Sequence, residues 1–175
     1  IESTLFSPAL APNGFYNDAI TSYLKTVCDL ANFDFVRRES GVIPLGAMDR
    51  HHPGFDGIGA NGGAIRPSSG YAFSFINKQI DHAVTHAVAG KPLTVSVPHS
   101  GFELWMDRIF LAVLRRHPDL APLIFTRMAA ALTGDEFAIF LSGEAGAEIW
   151  LKVVMAMPKI PFLQGMLCPE PKVPA

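Results

Sequence analysis

The stretch GANGGAIRPSSGY, residues 59–71, concentrates the features that a negatively charged partner needs. Gly62 and Gly63 let the backbone bend where side chains would clash. Pro67 fixes the approach, and Ser68 or Ser69 can cap a helix that starts near residue 69. The N–H groups at Gly70 and Tyr71 then lie at a helix N-terminus, where the dipole favours negative charge. Arg66 stands beside them. An anionic flavin ring suits such a pocket; a plain structural cap satisfies the same residues. The stretch is not a G-x-G-x-x-G after a strand, and no Rossmann unit is present.

Glu2 is the second candidate. A carboxylate on a short apolar segment is ordinarily a solvated surface group. Facing a dry pocket, it would stay protonated near neutral pH and could serve as the acid that attacks an unreactive double bond. Asp49, Arg50, His51, His52 and Asp56 form a polar run, but adjacent histidines in a loop have no fixed geometry for one ion, so no metal is expected. No G-x-S-x-G elbow is present, which argues against a serine hydrolase. Arg38 and Glu39 read as a surface pair.

These residues must be held by a scaffold. The chain has 175 residues, enough for one domain or part of a larger one. Apolar residues make up 49% and charged residues 17%, which implies a large core or an apolar surface in need of a partner. A net charge of −2 argues against nucleic acid. Cys28 and Cys168 form no CxxC, so no zinc or dithiol motif is expected and a reduced, cytoplasm-facing protein is the default. The chain starts at Ile1, not Met, which suggests a fragment or processed product. No run is long and apolar enough for a spanning helix.

The patterning predicts an α+β chain, mostly helical, with short antiparallel strands and about six helices. Strands are expected at 2–6, 33–38, 41–45 and, more weakly supported, 93–97. Helices are expected at 15–31 (capped by Asn13), 69–89, 101–116, 119–132, 134–141 and 145–157. Thr133 and Glu136 form a capping box. Residues 1–58 read as strands and a helix, 59–89 as a glycine-rich loop and helix, 101–168 as an apolar helical region, and 169–175 as a loose tail. The helices around Trp105 and Trp150 are apolar on more than one face. They are either buried between neighbours or lie on a membrane, with Arg115, Arg116, Lys152 and Lys159 at the rim.

Several segments together resemble the flavin-dependent lycopene cyclases, in particular their bacterial members. Glu2-Ser3-Thr4 followed by Phe6 is similar to that family's Glu-(Asp/Glu)-Thr motif. RRESGVIPLG (37–46), GANGGAIRPSSGYAF (59–73), MDRIFLAVL (106–114), TGDEFAIFLSG (133–143) and MPKIPFL (157–163) follow in family order. The resemblance spans nearly the whole chain. It implies reduced FAD, with NAD(P)H as reductant, and lycopene or a related carotenoid as substrate. It also implies a peripheral position on the cytoplasmic face of a membrane, and an N-terminal FAD-binding half outside these residues. By that resemblance Glu2 is the catalytic acid, and Gly62, Gly63, Arg66, Pro67, Gly70 and Tyr71 face the flavin. Ser3 replaces a second family acid, and Arg66 stands where many members have His. The fragment is expected to be inactive alone and to hold FAD weakly. Two other readings remain: a flavin-dependent isoprenoid reductase or hydroxylase, and a non-enzymatic helical module that binds lipid or a partner.

Overall fold

A computed structural model describes residues 1–7, 9–43, 45–46, 57–95 and 98–167. The chain divides into two compact units, Ile1–Val42 and Ile43–Ala175.

The first unit is built on one helix, α1 (Phe15–Thr26). Its N-cap is Gly14 at φ 91°, not the expected Asn13, and no side chain caps it. The helix stops five residues earlier than the periodicity suggests. The N–H groups of Val27 and Cys28 both turn back to the Tyr23 carbonyl, and that of Leu30 to Leu24. Asp29 follows at φ 54°, a left-handed conformation that ends a helix. Leu24 is the single buried side chain among the described residues of this unit. Phe33 and Phe35 meet edge to face at 5.4 Å, and the Arg38 guanidinium lies 4.1 Å from the Phe35 ring centre. Arg37, rather than Arg38, pairs with Glu39.

The second unit carries six helices: α2 (Phe73–Val88), α3 (Gly101–Arg116), α4 (Ala121–Ala130), α5 (Gly134–Leu141), α6 (Ala147–Ala156) and α7 (Lys159–Leu167). Ser100 and Thr133 each close a reciprocal capping box, with Glu103 and Glu136 respectively. Such boxes satisfy two otherwise orphaned N–H groups at a helix start, which is why these two boundaries follow so closely from sequence. Val113, Ile124, Leu132, Val153 and Met157 form the core, flanked by Phe110, Met128, Phe137, Phe140 and Phe162. Helix α3 buries Ile109, Leu111, Ala112 and Val113, residues on several faces, so it is the helix enclosed by neighbours. Helix α7 crosses it closely at Gly165: a Cβ there would sit 3.1 Å from Val113 Cγ2 and 3.2 Å from the Ile109 carbonyl oxygen.

The α+β expectation is corrected by this architecture. Seven α-helices and no strand occur among the described residues. Segments 2–6, 33–38, 41–43 and 93–95 have the composition of strands without their ladders. A strand needs a partner edge for its N–H and C=O groups, and a lone hairpin is marginal in water. No third strand is present among the described residues to extend one. Helix α7 is the seventh, where the sequence suggests an end at residue 157. Pro158 stops α6, but Pro161 falls in the first turn of α7, where its missing N–H costs nothing. The polar run 49–52 with Asp56, together with Cys168 and the tail, lies outside the described residues.

Candidate functional site

The glycine-rich loop is pinned from below by Gln79 of α2. Its amide is fully buried, accepting from Gly59 N–H at 3.0 Å and donating to the Gly62 carbonyl at 2.7 Å. The loop is a 3-10 turn over Gly59–Gly62 that ends at Gly63 with φ 73°. A side chain at Gly62 would strike the Gly57 carbonyl oxygen, 2.2 Å from its Cβ position. Two backbone strands of the loop therefore touch, which only glycine permits.

Arg66 is buried, at 4% exposure. Its Nε donates to Asp107 Oδ2 at 2.8 Å and its Nη1 to Glu103 Oε1 at 3.2 Å. Ser68 Oγ donates to the other Asp107 oxygen at 2.8 Å. Ser100 N–H and Oγ both donate to Glu103 Oε2 at 2.9 Å. The rings of Phe140 and Trp150 lie 5.9 and 5.8 Å from the guanidinium carbon, within reach of a cation–π contribution. Gly143 completes the enclosure: a Cβ there would meet the Phe75 ring at 2.6 Å and Glu103 Oε1 at 3.1 Å. Three sequence segments, 59–73, 106–114 and 133–143, thus converge on one charged clasp.

His99 borders this clasp. It is 6% exposed, and its ring centre lies 4.2 Å from that of Phe75. Neither ring nitrogen has a hydrogen-bond partner among the described residues. Burial, and then the Arg66 guanidinium, push its pKa below the ordinary histidine value. Glu103, Asp107 and the nearby Ala64 carbonyl pull weakly the other way.

The residues of the 66–71 turn are engaged with one another. Arg66 N–H donates to the Tyr71 carbonyl at 2.8 Å, and Gly70 N–H to the Arg66 carbonyl at 2.9 Å. Tyr71 N–H reaches Ser69 Oγ at 3.3 Å, and its hydroxyl pairs with Ser74 Oγ at 2.8 Å. Gly70 sits at φ 72°, with Ile43 Cγ2 only 2.5 Å from where a Cβ would be. The Pro67 carbonyl accepts from Gly46 N–H at 3.0 Å. As folded, the N–H groups of Arg66, Ser69, Gly70 and Tyr71 have partners within this turn, and the Arg66 guanidinium is paired with Asp107 and Glu103 of α3. Helix α2 starts at Phe73 instead of near residue 69, and no side chain caps it.

Glu2 lies in the first unit and is exposed; its carboxylate accepts from Thr4 Oγ1 at 2.9 Å. Ile1, Leu5, Phe6 and Leu10, near it in sequence, are also exposed. No group of three or more metal-ligating side chains occurs among the described residues.

Glu103, Asp107 and His99 are absent from the sequence-based site. A signal for the two acids exists. Glu103 and Asp107 are four apart on one face of α3, and like charges at that spacing repel. Burying them requires a cation from elsewhere, and Arg66 is that cation. His99 carries no comparable signal.

Comparison with known proteins adds one match. A protein-family model described as lycopene cyclase protein matches residues 1–166. No curated protein and no solved structure matches the chain.

Proposed function

The chain belongs to the lycopene cyclase family, a premise from which we propose that it carries the acid-catalysed, non-redox closure of rings at the ends of lycopene. The family match is the observation that carries this reading, since it takes in Glu2 at one end and the helices of the second unit at the other.

The chemistry follows from the substrate class. An acyclic polyene offers C=C bonds and no polar handle. A carboxylic acid delivers a proton to the terminal double bond, and a tertiary carbocation forms. The neighbouring double bond attacks it and closes a six-membered ring. Loss of a different proton restores neutrality, so the product is an isomer of the substrate. Glu2 is the acid in this proposal. Its exposed apolar neighbours Leu5 and Phe6 are suited to a hydrocarbon that would exclude water from the carboxyl group. The family resemblance implies reduced FAD in the complete enzyme. The N–H groups of Arg66, Ser69, Gly70 and Tyr71 are engaged within the 66–71 turn, and the ring closure as proposed does not depend on contacts there.

A hydrocarbon substrate resides in lipid, and the second unit has a matching surface. Leu151, Val154 and Met155 of α6, with Ile160, Leu163 and Leu167 of α7, are exposed. Lys159 lies between them, its Nζ donating to the Val154 and Met155 carbonyls at 2.8 Å. No helix among the described residues is long and apolar enough to cross a membrane. The proposal is therefore a peripheral seat, apolar side chains in the interface and cations at the rim.

The test is Glu2→Gln in the full-length protein, expressed in lycopene-accumulating cells. Cyclised carotenoid should disappear and lycopene remain, with protein abundance unchanged. Undiminished cyclic product would remove Glu2 from the mechanism.

A further inference from the structure

A pair of histidines on α2 has no part in the clasp or in the proposed ring closure. His82 and His86 are four residues apart, the spacing that places two side chains on one helix face. Their ring centres are 4.2 Å apart and the planes are tilted by 34°. Both side chains are half-buried, and both turn one ring nitrogen to the same residue. His82 Nδ1 lies 3.2 Å from the Thr94 carbonyl oxygen, and His86 Nδ1 lies 3.3 Å from Thr94 Oγ1.

The carbonyl decides the His82 tautomer. A carbonyl oxygen only accepts, so Nδ1 of His82 carries the hydrogen and Nε2 of the neutral ring keeps its lone pair. The Thr94 hydroxyl can accept from His86 Nδ1 in the same way. Neither Nε2 is bonded to another described residue. A ring held through Nδ1–H by an oxygen acceptor, with Nε2 presented outward, is the supporting arrangement found behind metal-bound histidines. Two histidines at i, i+4 on a helix also supply the paired imidazoles of helical zinc motifs.

We propose that His82 and His86 form a two-imidazole site for a divalent transition metal ion of the Cu²⁺, Ni²⁺ or Zn²⁺ class, the ions that imidazole nitrogen suits. No third protein ligand is available among the described residues, so water completes the shell and the ion exchanges. A closed structural zinc site needs four protein ligands, which the described residues do not supply there. Small rotations of two half-exposed rings bring both lone pairs onto one ion. Bound there, the metal links α2, through the Nδ1–H groups, to the segment that carries Thr94.

The test uses the untagged full-length protein titrated with Cu²⁺, followed by calorimetry and electron paramagnetic resonance. One equivalent should bind, with nitrogen hyperfine structure from two imidazoles. His82→Ala and His86→Ala should each weaken binding by about 10-fold or more, and the double variant should abolish it. The control His51→Ala/His52→Ala should bind as the unsubstituted chain does. Unchanged binding in the double variant, or loss in the His51/His52 control alone, overturns the site. Should the alanine variants lose helical circular dichroism, His82→Gln/His86→Gln takes their place and the same outcomes decide.

Discussion

Among the described residues, Ile1–Val42 bury one side chain, Leu24, whereas Ile43–Ala175 bury an apolar cluster together with Arg66, Glu103 and Asp107. The proposed acid belongs to the lightly packed unit. The glycine-rich motif belongs to the heavily packed one, where its Arg is spent on holding the turn to α3. Arg66 is thus held by fixed partners, whereas the proposed acid keeps an open face. The difference is physical. Buried charges require fixed partners, while a group that must meet a substrate has to keep a face open to it.

The largest effect that would break this contrast is at Arg66. Arg66→Met strands two buried carboxylates and should cost about 3–5 kcal/mol in urea denaturation. Adding Asp107→Leu should return part of the loss. A change below about 1 kcal/mol in the single variant would place the clasp among solvated surface pairs and erase the difference between the units.

A smaller effect should come from pH. The folded pKa of His99 is depressed, so the folded state binds fewer protons than the unfolded chain across that interval. Its contribution is complete above the ordinary histidine value, about 6.5, and is lost as pH falls through the lowered folded value. The slope is at most about 1.4 kcal/mol per pH unit for one proton. His99→Gln should flatten that part of the stability profile. An identical profile in the variant would assign the acid sensitivity elsewhere.

The smallest effect belongs to the first unit. Val36 is 99% exposed, and Val36→Ser should move the denaturation midpoint by no more than about 0.5 kcal/mol equivalent. A larger loss would reveal packing over that unit that the isolated chain does not display.

Legibility followed the range of the interactions. The capping box of Thr133 with Glu136 and the helix starts at 101 and 134 are local patterns, and they appear where the spacing puts them. The start of α2 was misplaced because Ser69, instead of capping a helix, donates its N–H into the turn, and Gly70 does likewise. The strands failed because strand composition is only a preference until another strand supplies hydrogen bonds. The i, i+4 spacing of His82 and His86 lies in the sequence, but only the fold brings Thr94 to their Nδ1 atoms.

By itself the sequence determined the helix-rich character, the capping box at Thr133, the need for glycine in the 59–63 loop and the order of motifs that marks the family. Those are properties of neighbours along the chain, set by backbone sterics and side-chain periodicity. Only the tertiary structure decided that Arg66 faces two acids of α3 and that the Gly70 amide is consumed by its own turn. Partners 37 and 41 residues apart are chosen by packing, because burying a charge is tolerable only where the whole fold delivers its counter-charge.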